Sequence, residues 1–378
     1  MNNRSIRLKS IAILVILLVN LTIGYSQEKQ KVFKDTLDNA FDVSYYLNNL
    51  HGLLPVVMPI TEPAVGFGAA GSLLYFIPKE NTEGKFIMPD IVAGAGGYTA
   101  NGTWFAGGGY MGFWREDRVR YRGALGYGDV KLKYYGTEGS PLQNDPANFN
   151  IQSYMFLQQA ITRIGNTHFF LGGKYKLAHT NVVAYEDSKY IVDPLDIELV
   201  SSGIGVIAEY EKLDNILSPS KGMLLHLMYD QNLELIGSDR NYGRVTFFSH
   251  MFFPVNDKWT PAIRVESQLA TGSPPFYAMP FISLRGVPAL RYQGDFTVLI
   301  ETEQQYNFTP RWSVVGFAGI GAAYSDLEDM STNQTAWNAG GGFRYLMARL
   351  LGLRMGLDVA RGPEDWAVYV VFGYAWMR

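Results

Sequence analysis

Between Leu53 and Trp376 apolar residues recur at every second position, in runs of roughly ten to fifteen residues. That period puts successive side chains on opposite faces of a β-strand. Ile263, Val265 and Leu269 alternate with Arg264, Glu266 and Gln268, and Leu171, Tyr175 and Leu177 with Gly172, Lys174 and Lys176. Leu353, Met355, Leu357 and Val359 do the same against Arg354, Gly356 and Asp358. Strands of soluble domains average about five or six residues. Runs this long fit a tilted strand crossing a bilayer, which needs about 9–11 residues. A soluble all-β sandwich or repeat protein is the competing reading, and the strand lengths count against it.

Composition enters where it separates membrane classes. Gly 40 and aromatic 14% are high, while charged 18% is low against about 25% for soluble domains. After the first thirty residues no apolar stretch is long enough for a membrane helix. Alternating strands rich in glycine and aromatics are what transmembrane barrels use. The predicted strands are Leu53–Thr61, Ala64–Ile77, Asp90–Ala100, Thr103–Glu116, Val119–Tyr135, Phe149–Ile164, Thr167–Val183 and Glu198–Tyr210. They continue with Gly222–Asp230, Tyr242–Val255, Trp259–Ala270, Phe296–Phe308, Trp312–Ser325, Ala336–Ala348, Leu351–Arg361 and Trp366–Trp376. The fold class is therefore all-β, a transmembrane antiparallel β-barrel of about 16 strands, an even number as bacterial barrels require. Trp366, Val368, Val370, Phe372, Tyr374 and Trp376 read as one outward row on the last strand, aromatic at both ends.

The chain divides into 1–26, a signal peptide, 27–52, a short periplasmic leader, and 53–378, the barrel. Arg4, Arg7 and Lys9 precede an apolar core, and Gly24-Tyr25-Ser26 offers small residues for cleavage. In the leader Phe33, Leu37, Phe41 and Tyr45 fall at helical spacing, which suggests a small amphipathic helix under or inside the barrel; a loosely ordered leader is the alternative. Tight connections such as Asn256-Asp257 and Thr309-Pro310 alternate with long ones such as Thr271–Asp295. Short turns belong on the periplasmic side and long loops outside. Pro78–Pro89 and Glu211–Lys221 are long where short turns are expected.

Several chemistries find no support. Cys 0 removes disulfides, thiolate nucleophiles and cysteine metal sites. Net charge -3 gives nucleic acid no footing as a partner. The histidines show no metal-ligand spacing, although His226 and His250 share the inner face of neighbouring strands; solvated lumen residues are the plainer reading. No nucleophile stands out beside a base. The chain reads as not an enzyme and as needing no cofactor. Inward cations such as Arg120, Arg122, Lys131, Lys133, Lys174 and Lys176 line the lumen and would tune a pore toward anions.

The long interruption Phe281–Asp295 carries Leu284-Arg285-Gly286-Val287. An arginine in an apolar setting needs a partner. The next strand offers Glu301, Glu303, Gln305 and Asn307 on one face, with a largely apolar opposite face, which suggests a loop folded back into a wet barrel. With Gly294 and Glu303 following, this stretch resembles the BamA/TamA outer-membrane assembly superfamily, also called the bacterial surface antigen family, whose loop carries Arg-Gly-aromatic. Asp214-Asn215-Ile216-Leu217-Ser218-Pro219-Ser220-Lys221-Gly222 is similar to the family's periplasmic turn. Gly340-Gly341-Gly342-Phe343-Arg344, with Leu353-Arg354 and Asp358 beyond, is similar to its C-terminal strands. Val287 departs from the family's aromatic, and Gly319 stands where members often show an aspartate. About 25 residues precede the barrel, too few for a POTRA module, so the expectation is a barrel-only member.

The resemblance implies a loop clamp of Arg285 and Gly286 with Glu303 or Asp358 as the arginine's partner. It implies residence in the outer membrane of a Gram-negative bacterium, outer-membrane lipid around the wall, and unfolded polypeptide substrates or periplasmic partners. The expected function is outer-membrane protein insertion or translocation; the alternative is a passive porin-like channel. Separately, Pro55 and Pro59 share one parity in the first strand and lack N–H donors. A lateral seam is expected where that strand meets the last, at Pro55, Pro59, Trp366 and Trp376. The alternative is that Pro55 merely starts the strand below the membrane.

Overall fold

The computed structural model describes residues 33–48, 52–77, 79, 89–136, 139–184, 196–326 and 333–376. The predicted signal peptide and most of the puzzling 78–89 connection lie outside these residues. Sixteen antiparallel strands form one sheet in strict chain order, each hydrogen-bonded to the next. They are β1 (Gly52–Ile60), β2 (Gly68–Ile77), β3 (Asp90–Thr99), β4 (Trp104–Trp114), β5 (Val119–Tyr134), β6 (Ala147–Arg163), β7 (Phe169–Ala184) and β8 (Asp196–Leu213). Then come β9 (Gly222–Asn232), β10 (Tyr242–Phe252), β11 (Trp259–Gly272), β12 (Phe296–Asn307), β13 (Trp312–Tyr324), β14 (Asn333–Ala348), β15 (Leu353–Arg361) and β16 (Trp366–Phe372). The sheet curls into a nearly closed barrel, as the period-two pattern predicts.

Alternation decides what each face meets. In β13, Ser313, Val315, Phe317 and Ala323 are buried inside, while Trp312, Val314 and Ile320 are exposed outside. In β12, Glu301 and Glu303 are buried within, and Ile300 and Tyr306 face out, as does Phe308 just beyond it. An apolar exterior around a polar, charged interior is the polarity of a barrel whose outer solvent is lipid. Among the described residues no helix is long and apolar enough to cross a membrane.

Several boundaries depart from the sequence reading: β2 starts at Gly68, not Ala64, and β14 at Asn333, not Ala336. β16 ends at Phe372, so the strand predicted over Trp366–Trp376 is four residues too long. Gly373 takes a left-handed backbone (φ 75) and donates its N–H to Arg354 O at 2.7 Å. The tail then enters the lumen, where Trp376 is buried. β8 runs on to Leu213, which shortens the long turn. The remaining turn is fixed by Asp214, whose Oδ1 accepts from the N–H groups of Ser220 and Lys221 at 2.9 and 3.0 Å. It reaches the turn between β14 and β15, with Asn215 Nδ2 donating to Leu351 O at 2.8 Å.

The leader is not one amphipathic helix. Lys34 and Phe41 form an isolated bridge across a turn, and among the leader's described residues only α1 (Ser44–Asn48) is helical. Asp35, Asp38 and Asp42 explain this, since each accepts an N–H two residues on: Leu37, Ala40 and Ser44, at 3.0, 3.0 and 2.7 Å. Such local side-chain bonds compete with helix.

Candidate functional site

The connection between β11 and β12 folds into the barrel and delivers Arg285 to the inner faces of β12 and β15. Arg285 Nη1 donates to Glu303 Oε2 at 2.8 Å and to Asp358 Oδ2 at 2.7 Å. Its Nε donates to Glu301 Oε1 at 3.1 Å. The guanidinium lies 3.5 Å from the centre of the Phe317 ring, a stacking that suits a partly desolvated arginine. The next strand offered Glu301 and Glu303, and the family resemblance pointed to Glu303 or Asp358; Arg285 bonds all three at once.

The surroundings make a network rather than a pair. Arg344 binds Asp358 through both nitrogens, Nη2 to Oδ2 at 3.0 Å. Glu301 also accepts from Asn338 Nδ2 at 2.9 Å and from Trp376 Nε1 at 2.6 Å. Arg264 reaches Glu301 at 3.5 Å, Glu266 at 2.5 Å and Ser283 Oγ at 2.8 Å. Glu301 and Asp358 are wholly buried. Charges this enclosed persist because each has an opposite charge and hydrogen bonds; stripping one partner is severe.

Glycines give this network its room. A Cβ on Gly319 would lie 2.7 Å from Asn338 Oδ1 and 3.0 Å from Glu301 Cβ. Glu301 lies directly opposite Gly319 in register, and its side chain uses the space the glycine leaves. Gly342 clears space for Asp358. Gly286 is left-handed (φ 82), and a Cβ there would meet Gly362 N at 2.9 Å. The loop backbone thus lies directly on the end of β15, and Gly286 N–H donates to Tyr369 Oη of β16 at 2.9 Å. Val287 joins Ile282, Leu284, Tyr292, Leu299, Ala323 and Ala336 in a small apolar cluster.

The seam lies next to this loop. No ladder joins β16 to β1 among the described residues. Ala100 N–H donates to Phe67 O, so the odd-numbered residues of β2 bond β3 and its even-numbered residues bond β1. In the β1–β2 register even residues face even residues, as Val56 does Ser72. The odd residues of β1, Leu53, Pro55, Val57 and Pro59, therefore turn their backbone donors toward β16, and two of those four have none. Trp366 begins β16 and is exposed. Trp376 is not at the seam: its ring lies 5.6 Å from His250 and 6.2 Å from Phe252, inside. The loop contacts both flanks of the gap. Ala289 N–H reaches Glu62 Oε1, beyond β1, at 3.3 Å, and Tyr292 Oη reaches Glu364, before β16, at 2.5 Å.

Sequence reasoning missed Arg264, Arg344, Phe317 and Tyr369. Arg264 sits directly opposite Glu301 in the β11–β12 register, a cross-strand signal hidden by the length of the intervening loop. His226 and His250 do not face each other: each stacks on Phe248, at 4.5 and 5.0 Å, and His250 is buried, not solvated. Of the inward cations, Arg120 is held by Asp117 and Glu211 at 2.7 and 2.8 Å, and Lys176 by Asp230.

Fold and site together define a sixteen-stranded transmembrane barrel with an arginine loop folded into its lumen. The barrel fold is shared with BamA from Haemophilus ducreyi lacking POTRA domains 1–3, at TM-score 0.59 and 12% identity, over 86% of this chain and 70% of that one. It is shared too with CdiB from Escherichia coli (TM-score 0.56, 12% identity, 86% of this chain) and CdiB from Acinetobacter baumannii (0.55, 12%, 85%). The chain spans 62% and 59% of those two CdiB chains. At such identity the likeness is one of fold. No protein-family model and no curated protein sequence matches the chain.

Proposed function

We propose that this barrel resides in the outer membrane of a Gram-negative bacterium and inserts or passes polypeptides there by parting at the β1–β16 seam. The observation that carries the reading is the contrast within the wall. Ladders join each strand to the next from β1 to β16, and among the described residues the junction of the two ends has none. Two prolines there remove donors that a closed ladder would use. The Arg285 loop spans the gap, acting as a clamp that holds both flanks while the seam itself stays weak. The fold shared with BamA and CdiB and the sequence resemblance to the assembly superfamily support the same reading. Its partners are membrane lipid and unfolded polypeptide, and the clamp residues act by position rather than by catalysis.

The test sets planar-bilayer conductance of the purified chain beside depletion in the cell. The expected result is small or flickering conductance, with loss of other folded barrels from the membrane on depletion. Large, steady conductance with barrel biogenesis intact would overturn the proposal in favour of a passive pore.

A further inference from the structure

The segment 33–48 has its polarity reversed relative to a soluble appendage. Its carboxylates point into the protein, where Asp35 and Asp42 are buried against Arg311 and Arg349. Three of its large apolar side chains point out: Leu37, Phe41 and Tyr45 are 75%, 53% and 59% exposed, while Val43 is buried. Phe33 stacks on Phe41 at 6.2 Å and lies 5.5 Å from Tyr46, so these rings form a patch rather than scattered residues.

The position of the patch says what covers it. Tyr345 Oη donates to Phe41 O at 2.6 Å. Tyr345 follows the inward Arg344 in β14, so it stands on the outer face of the wall. There its ring lies 4.8 Å from Trp312, which lies 5.9 Å from Phe343. Trp312 and Phe343, with Trp259, Tyr306 and Phe308, are exposed aromatics ringing the same end of the barrel. Such girdles mark the boundary between acyl chains and headgroups. The leader's patch continues that girdle beyond the wall, at the end where the β12–β13 and β14–β15 turns lie.

We propose that Leu37, Phe41 and Tyr45 lie in the phospholipid interface of the periplasmic leaflet, so that the leader is a monotopic membrane anchor clipped to the barrel rim by its acidic side. A segment with exposed rings on one side and its charges held on the other suits such a boundary. The anchor would fix the rim beneath β12 to β15, the strands that carry the Arg285 network.

The absence of cysteine makes the test direct. Leu37→Cys, Phe41→Cys and, as an exposed polar control, Thr36→Cys are each labelled with an environment-sensitive fluorophore in the otherwise intact chain. The proteins are reconstituted into phosphatidylethanolamine–phosphatidylglycerol vesicles, with folding checked by heat-modifiable migration. At Leu37 and Phe41 the expected result is blue-shifted emission that is lost with lipids brominated near the headgroup, while Thr36 responds to aqueous iodide. Two independent apolar positions keep the test alive if one variant fails to fold. Emission at both that is quenched by iodide and not by brominated lipid would overturn the anchor, and so would emission quenched by neither, since protein would then cover the patch.

Discussion

Arg285 and Arg311 each sit among three carboxylates, and each ties a segment outside the wall to the same run of strands. Arg285 brings the loop to Glu301, Glu303 and Asp358; Arg311 holds the leader through Asp35, Asp38 and Asp42. Their chemistry is nearly identical and their surroundings are not. Glu301 and Asp358 are wholly buried, whereas Asp38 is 39% exposed and Arg349, the second cation of the leader site, 36%. Inside the barrel a stripped charge has no water to turn to; at the rim Arg311, Asp35 and Asp42 are buried as well, but Asp38 and Arg349 open one side of the site to water and salt. The same arrangement is thus a structural commitment in one place and a releasable clip in the other.

The largest effect should follow from stripping the inner site. Arg285→Ala is expected to cost about 3–5 kcal/mol of barrel stability, because it leaves buried carboxylates unbalanced. Double-mutant cycles with Glu303→Gln and Asp358→Asn, read by reversible urea unfolding in lipid, should both show coupling. The Asp358 cycle should be the larger, since that carboxylate is the more buried of the two. Coupling near zero in both cycles would mean that the contacts do not act as a clamp.

Gly286→Ala asks whether the loop backbone matters as much as the charge. A left-handed alanine costs about 1–2 kcal/mol before any clash is counted. The added Cβ also meets the end of β15 at Gly362 N. Amide exchange across Trp366–Phe372 should rise in this variant and in Arg285→Ala, and exceed exchange across Phe296–Asn307 even in the unaltered chain. Arg311→Gln should leave that contrast untouched. Equal protection of both strands in the unaltered chain would remove the weak seam.

How far these features were legible in the sequence follows from the range of the forces. The wall was readable because alternation is local: β12 shows its charged and apolar faces without reference to any other strand. Arg285 was readable as a charge in need of a partner, and Glu303 and Asp358 as partners on the inner face. Arg344 and Arg264 were not, since their meaning depends on register across neighbouring strands and on where a long loop comes to rest. The fate of Trp376 was hidden for a similar reason. Its parity continues the outward row of β16, and only the left-handed turn at Gly373 and the carboxylate of Glu301 draw it inside. In the leader, helical spacing misled because three aspartates bond their own backbone.

The rim site should also respond to acid, in a direction its hydrogen bonds fix. The Arg349 side chain, with Leu37 N–H, holds Asp35 well below the usual carboxylate range, and Arg311 lowers Asp38. Burial opposes ionisation at Asp42, but bonds from Ser44 and Arg311 outweigh it and lower that group too. Folded-state values below the free value mean that docking is stabilised above an ordinary aspartate pKa of about 3.9 and weakened as pH falls through the lower, docked values. The leader should therefore stay bound from neutral pH down to about 4 and come away below it. Anisotropy of a fluorophore on Thr36→Cys measures this in the intact chain. It should be flat through the histidine range and drop only in acid, and Arg311→Gln should begin low and lose most of the transition. A midpoint near neutrality, or no change in strong acid, would show that the aspartates do not hold the leader, and the comparison with Arg285 would then fail at the rim.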